Sequence, residues 1–310
     1  MQVFRGVPEH SAHGCVLTIG NFDGVHRGHQ ALLAKLVALS RATGLPSAVL
    51  TFEPHPREYF AHENRPRRLT SLREKIQLLA DQGVDRLYIG RFNSRFAALT
   101  AEEFVEDILI RGLCVRHLMI GDDFCFGKGR KGNFAMLQAA GREAGFTVES
   151  METLAHEGER VSSSAVRAAL AEGDMPHAAR LLGRPYSIRG RVMHGDKIGR
   201  TIGFPTANIQ LKHRSPPLMG IYTVSVEGLA DKPWPGVASV GVRPTINDAG
   251  RPTLEVHLFD WNQDCYDAHL KVNFLVKQRD EERYDSLEAL TAQIARDAEQ
   301  ARAYFAQNPL

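Results

Sequence analysis

The feature that most limits what this 310-residue chain can fold into is a change of hydrophobic period near residue 185. Before it, short apolar runs alternate with helical patterns. "CVLTIG" (15–20), "SAVLTF" (47–52), "RLYIG" (86–90), "HLMIGDDF" (117–124) and "FTVESM" (146–151) read as strands. Between the first two, apolar residues at 32, 33, 36 and 39 recur at helical spacing, and Gly44 stands where a helix stops. Ser71 with Glu74, and Thr100 with Glu103, have the spacing of capping boxes that open helices. Alternating elements with short connections predict a parallel sheet with helices on both faces, an α/β architecture in which ligands bind beyond the carboxyl ends of the strands.

From Tyr186 onward the runs shorten and alternate. "SIRGRVMHG", "IYTVSVEG", "GVASVGV", "TLEVHLFDW" and "LKVNFLVK" are separated by Gly, Pro, Asn and Asp, an all-β pattern that predicts a small barrel. "SLEALTAQIARDAEQARAYFAQ" (286–307) closes the chain as an amphipathic helix. "SSSAVRAALAEGDMPHAARLLGRP" (162–185) reads as two short helices between the halves. The expected domains are therefore 1–184 and 185–310.

Composition narrows the function. With 38 Lys and Arg against 36 Asp and Glu, no strong field calls for nucleic acid or a membrane. The opening residues lack the apolar run of a signal peptide, and no stretch of eighteen apolar residues follows, so a cytoplasmic location is expected. Cys15, Cys114, Cys125 and Cys265 are scattered without a C-x-x-C pair, which argues against a zinc knuckle and a disulfide framework and leaves free thiols.

The stretch "IGNFDGVHRGHQ" (19–30) carries the chemistry. His26 and His29, three apart near a helix start, have the residue type of zinc ligands, but neither H-E-x-x-H spacing nor a cysteine pair completes a set. Histidines that merely cap or pack are the ordinary alternative. The setting favours an anion instead. Gly20, Gly24 and Gly28 let backbone N–H groups approach a ligand, and a helix N-terminus adds partial positive charge. Both imidazoles can donate to a phosphate there. "GKGRKG" (127–132) also matches G-x-G-x-x-G, but it does not follow the first strand and carries Lys128, Arg130 and Lys131 at its variable positions. Nor is it a Walker loop, since Gly129 stands where Ser or Thr would hold magnesium. No NAD and no zinc are expected.

Long stretches carry a family resemblance. "GNFDGVHRGH", "TFEPHP" (51–56), "RRLTS" (67–71), "GDDFCFGKGRKG" (121–132) and "SSSAVR" (162–167) resemble the adenylyltransferase half of the bacterial bifunctional riboflavin kinase/FMN adenylyltransferases, the FAD synthetase family. "GRTIGFPTAN" (199–208), "GIYTVSV" (220–226), "GVASVGVRPT" (236–245), "LEVHLFD" (254–260) and "QRDEERYDSLEALTAQIARD" (278–297) are similar to its riboflavin kinase half. The resemblance implies a Rossmann-like nucleotidyltransferase domain followed by a small antiparallel β-barrel domain with a C-terminal helix.

It also implies roles. In the first domain FMN attacks the α-phosphorus of ATP, giving FAD and pyrophosphate. His26 and His29 match the family's H-x-G-H phosphate contacts, within a nucleotide loop of Gly20, Asn21, Phe22, Asp23, Gly24 and Gly28. Ser162, Ser163 and Arg167 match the S-S-x-x-x-R element that grips the β- and γ-phosphates, with Ser164 where the family usually has Thr. Pro56, Asp123 and Phe126 fall in the flavin-side motifs, Asp123 near the flavin or a metal. In the second domain riboflavin is phosphorylated by ATP with Mg²⁺. Thr206 and Asn208 of "PTAN" would meet the metal and the ATP phosphates, Gly203 and Pro205 would shape their turn, and Glu255 would be the general base. Arg279 would sit over the flavin. The family commonly has Asn where Ser239 stands, which bears on a flavin-loop or nucleotide contact.

Two other readings compete. A different adenylyl- or cytidylyltransferase would share H-x-G-H, but "TFEPHP" and the barrel tie both halves to flavin. A flavin-binding protein without catalysis would not need His26, His29, Arg167, Thr206, Asn208 and Glu255 all in place. The expected partners are riboflavin, FMN and ATP, with no nucleic acid and no membrane, and with self-association left open.

Overall fold

The computed structural model describes the chain except residues 62–64, 153, 157, 195–198, 200, 201, 212–214 and 243–251. Parts of "GRTIGFPTAN" and "GVASVGVRPT", and the end of "SIRGRVMHG", therefore lie outside the described residues. The chain forms two compact units: Met1–Pro66 with Leu72–Ser162, and Arg67–Ser71 with Ser163–Leu310.

The first unit is built on a six-stranded parallel sheet. Its strands are β1 (Gln2–Arg5), β2 (Cys15–Ile19), β3 (Ser47–Glu53), β4 (Arg86–Arg91), β5 (Val115–Gly121) and β6 (Thr147–Met151), in spatial order β1-β4-β3-β2-β5-β6. Alternate residues of one strand face opposite layers. Cys15, Leu17 and Ile19 pack into a core with Phe104, Leu109 and Leu137. Val16 packs on the other face with Leu33 and Leu36 of α1 (Arg27–Thr43). After β2 the chain moves through β3 to β4 and then returns to β5 on the other side of β2. The switch point, where parallel sheets bind ligands, therefore lies between the carboxyl ends of β2 and β5.

Short helices α2 (Pro56–Phe60), α3 (Leu72–Asp81) and α4 (Ser94–Ala98) join the strands. Thr100 and Glu103 form the expected capping box over α5 (Ala101–Glu103), with Thr100 N–H donating to Glu103 Oε2 at 2.8 Å and Glu103 N–H donating to Thr100 Oγ1 at 3.1 Å. The segment does not continue as the expected α-helix: Phe104–Gly112 winds as a π-helix. The wider turn brings Phe104 and Leu109, five apart, to the same core. Helix α6 (Phe134–Ala144) completes the layer. Strand β1 carries no buried side chain, so no apolar pattern marked it; it is held by backbone pairing to β4.

In the second unit, α7 (Ser163–Glu172) and α8 (Met175–Leu182) end on Gly173 and Gly183, both with positive φ. Strands β9 (Tyr186–Met193), β10 (Ala207–Ile209), β11 (Gly220–Glu227), β12 (Trp234–Val242), β13 (Pro252–Leu258) and β14 (His269–Arg279) then close a barrel in the order β10-β13-β12-β11-β14-β9, every pair antiparallel. Tyr222, Val224, Ala238, Val240, Leu254, Val256, Val272 and Phe274 fill its interior. Outside, Ile221, Val237 and Phe259 are covered by Ala298 and Ala301 of the closing helix α9 (Leu287–Gln307). A two-stranded ribbon, β7 (Ala155–His156) with β8 (Glu159–Arg160), belongs to the first unit.

Candidate active sites

At the switch point the chain leaves β2 through a turn with three positive φ values in four residues: Phe22 (47°), Gly24 (82°) and Val25 (40°). Positive φ is costly for Phe and more so for β-branched Val, and persists only where the surroundings over-determine it. Here Phe22 and Val25 are both buried in the core against α1. Gln30 donates to the Val25 carbonyl at 2.9 Å and Thr51 to the Asn21 carbonyl at 3.3 Å. These contacts hold the strained loop in place.

His26 caps α1: its Nδ1 accepts the His29 backbone N–H at 3.4 Å. That bond leaves the proton of a neutral His26 on Nε2. Gly28 makes the ring's room, since a Cβ there would lie 3.2 Å from His26 Nδ1. The His29 ring stacks on that of His26, and burial, then His26, then Lys75 hold its pKa well below the ordinary value. Around this pair Thr18 Oγ1, Asn21 Oδ1 and His29 Nδ1 are buried with no hydrogen-bond partner among the described residues. Unsatisfied polar atoms this deep are expensive.

Across the switch point, the loop after β5 carries Asp123, which accepts from Arg160 Nη2 at 3.1 Å. Phe126 is not at the surface: it is 6% exposed and packs on Phe104 in the core, while its neighbour Phe124 stacks on it from a half-exposed position. Pro56 opens α2, and the helix presents Tyr59 and the 65%-exposed Phe60, both edge-on to Phe92. Lys128, Arg130 and Lys131 lie on an exposed turn closed by the Phe126–Gly132 bridge, just before α6 with its Asn133 cap. Ser162 ends the first unit's main segment. Ser163 opens α7, and Arg167 donates from Nε to the Arg67 carbonyl at 2.6 Å within the second unit.

On the barrel, Asn208 of β10 faces Glu255 of β13, and Glu255 faces Ser239 of β12. Residues directly opposite in a sheet share a face, and their neighbours Ala207, Val256 and Ala238 point inward. The three polar residues therefore form a row on the outside. Thr206 Oγ1 donates to Glu255 Oε2 at 3.3 Å, so the end of "PTAN" and the expected base meet. Gly203, at φ 85°, and Pro205 turn the chain into β10. At the far end of the row Ser239 donates to Glu281 Oε1 at 3.3 Å, and burial raises the Glu281 pKa. Beside Thr206 opens a cavity of about 490 Å³ whose walls include Pro205, Val192, Trp261 and Tyr266.

Arg279, expected over the flavin, is tied to the closing helix. It forms a two-pronged ion pair with Asp297 of α9, at 2.9 Å from Nε and 2.6 Å from Nη2, and also donates to the Asp280 carbonyl. Phe124, Trp261, Tyr266 and Glu281 were not found by sequence reasoning. Their places come from tertiary contacts, which leave no local sequence signal.

The family described as FAD synthetase matches residues 8–165, and the riboflavin kinase family matches residues 182–305. The bifunctional riboflavin kinase/FMN adenylyltransferase of Escherichia coli (strain K12) is 52% identical over 309 residues, covering 98% of each chain. That of Pseudomonas fluorescens is 52% identical over 310 residues, and that of Bacillus subtilis (strain 168) 39% over 295. A solved Streptococcus pneumoniae chain described as a macrolide-efflux protein superposes with a TM-score of 0.84 at 31% identity, covering 97% of this chain and 99% of that one. Among the described residues of this chain no helix is long and apolar enough to cross a membrane. With both domain families matched in order and relatives aligned along almost the whole length, this chain belongs to the bifunctional riboflavin kinase/FMN adenylyltransferase family.

Proposed function

We infer that this protein phosphorylates riboflavin to FMN and then joins FMN to ATP, giving FAD and pyrophosphate. The observation that carries the reading is that each unit holds its own polar site: the His26–His29 pair with its unpartnered Nδ1 in one, and the Thr206–Glu255 contact in the other.

In the first reaction Glu255 takes the proton of the terminal ribityl hydroxyl as that oxygen attacks the γ-phosphorus, and ADP leaves. Thr206 orients the carboxylate. The cavity beside Thr206 is of the right order for a nucleoside, with Trp261 and Tyr266 as aromatic walls. Thr206 Oγ1 and the Asn208 side-chain oxygen are hard neutral donors suited to Mg²⁺, which when bound supplies charge neutralisation on the phosphates. In the second reaction a phosphate oxygen of FMN attacks the α-phosphorus of ATP and pyrophosphate departs. His26 and His29 donate to the oxygens on which charge grows, and the turn Gly20–Gly24 and Gly28 offers backbone N–H groups. By family resemblance Ser162, Ser163 and Arg167 hold the β- and γ-phosphates, and Pro56, Asp123 and Phe126 border the flavin. The aromatic groups at Tyr59, Phe60 and Phe92 support an adjoining ring site, and Arg279 shapes the kinase flavin site through its tie to α9.

In this reading residues 1–184 carry adenylyl transfer and 185–310 phosphorylation, without zinc or NAD. The enzyme works in the cytoplasm on small molecules, with no nucleic-acid or membrane partner and with self-association open. The test is a time course with ATP, Mg²⁺ and either riboflavin or FMN, the flavins being separated chromatographically. FMN followed by FAD from riboflavin, and FAD alone from FMN, is the expected result; no turnover of either flavin overturns the reading.

A further inference from the structure

The connection between β14 and α9, residues 280–286, is tied down around its first residues. Lys277 Nζ of β14 meets Asp280 Oδ1 at 2.6 Å, and Arg279 holds Asp297 of α9. Glu281 reaches β12 instead. Its Oε1 accepts from Ser239 Oγ at 3.3 Å, and a Cβ on Gly241 would overlap its carboxylate. Ser239 and Gly241, two apart on one strand, share the outer face of the barrel. The Glu281 side chain therefore lies along β12 in space that a glycine leaves open.

This contact sits at one end of the polar row. Glu255 of β13 is directly opposite Ser239 on one side and directly opposite Asn208 of β10 on the other. Neighbouring strands are about 5 Å apart. Ser239 thus stands one strand beyond Glu255, on the side away from β10 and from Thr206, which precedes β10 and borders the cavity. In an in-line phosphoryl transfer the attacking oxygen enters opposite the leaving group. With the nucleotide on the Thr206 side, the acceptor hydroxyl comes to Glu255 from the Ser239 side, where Glu281 holds the connection.

Resting on the assignment of riboflavin phosphorylation to the Thr206–Glu255 site, we propose that Glu281 is a positioning residue of that site. Its bond to Ser239 holds the 280–286 connection against the end of the row, where the connection walls the riboflavin side of Glu255. A residue acting in this way governs how tightly riboflavin is held more than how fast the phosphoryl group moves. Nothing local marks Glu281 among the five consecutive charged residues 279–283, because its partner lies on a strand 42 residues away in sequence.

The test uses the full-length enzyme and the variants Ser239→Ala, Glu281→Ala, Glu281→Gln and the double Ser239→Ala/Glu281→Ala. FMN formation from riboflavin, FAD formation from FMN and thermal unfolding are measured for each. Glu281→Ala should raise the KM for riboflavin about tenfold, with kcat changed by less than about threefold. Glu281→Gln, which still accepts a hydrogen bond, should recover most of that loss. Ser239→Ala should give a similar rise, and the double variant should be no worse than Glu281→Ala alone, the mark of one shared contact. FAD formation from FMN should stay at the parent rate throughout. A KM for riboflavin within about twofold of the parent in Glu281→Ala overturns the proposal, as do additive effects in the double variant. So does equal impairment of the Ala and Gln variants with matching losses of thermal stability, since that marks a purely structural contact. A parent enzyme that makes no FMN overturns the underlying functional reading instead, and is told apart because the loss is already present before any substitution.

Discussion

The imidazole rings of His26 and His29 stack with centroids 3.6 Å apart and planes 20° from parallel. The His26 ring is fixed by its role as helix cap, and the His29 ring lies over it and packs tilted against Phe22, centroids 5.0 Å apart. Two histidines packed this way form one rigid donor unit. Removing the upper ring by His29→Ala should therefore cut FAD formation about a hundredfold or more while FMN formation from riboflavin stays near normal. Steady-state rates of the two reactions check this; equal loss of both refutes separate sites.

Burial depresses the His29 pKa, so on folding this group gives up protons that the unfolded chain holds below its ordinary value of 6.5. Its contribution to stability is complete above that value and is lost as the pH falls toward the depressed folded value. The thermal midpoint of the parent should therefore decline on acidification from pH 6.5, and His29→Asn should show a shallower decline. Parallel curves for the two proteins would remove His29 from the acid sensitivity.

Glu255 meets Thr206 on the outer face of the barrel, remote in sequence from the histidine turn. Glu255→Gln keeps the size and the hydrogen-bond acceptor but not the base. Riboflavin phosphorylation should fall about a hundredfold to ten-thousandfold, with conversion of FMN to FAD intact. Flavin chromatography after incubation with each substrate separates these outcomes.

Arg279 and Asp297 pair where both are largely hidden, Asp297 almost completely. Breaking such a pair strands a buried charge. Arg279→Met should destabilise the second unit by about 3–5 kcal/mol, and pairing it with Asp297→Leu should restore part of that. Denaturant unfolding of the single and double variants measures the coupling. A near-zero effect of the single change would show that the contact is not structural.

Trp261 forms a wall of the cavity beside Thr206 and is itself held edge-on to Trp234, with ring centroids 5.0 Å apart. If that cavity receives the nucleotide of the kinase reaction, Trp261→Ala should raise the KM for ATP in riboflavin phosphorylation about tenfold, since loss of a stacking wall weakens base binding by that order. The KM for ATP in FAD formation should not move.

Much of this protein was legible in the sequence because its determinants are local. Hydrophobic period separated the parallel α/β half from the barrel half. Gly44 and Gly183 marked helix ends, and the apolar run before "HRGH" with the helical pattern after it marked a strand-to-helix turn. The short strand β10, which carries Asn208, was missed: at three residues it has no period to read. The π-winding of Phe104–Gly112 was missed as well, because a capping box fixes how a helix begins and not how its later turns meet a sheet. Phe126, which its motif places on the flavin side, has its ring in the core and Phe124 lies nearer the surface, a difference set by packing and not by any local pattern.

The sequence by itself determined the two architectures, their order, and the residue types able to handle phosphate, since each depends on spacing along a few turns of chain. Only the tertiary structure decided which of those residues meet. It set Glu255 between Asn208 and Ser239, tied Arg279 to Asp297 and stacked His29 on His26. These relationships depend on strand register and helix packing between segments that lie tens of residues apart, and burial gives them the low dielectric in which a single charge or an unpaired nitrogen matters.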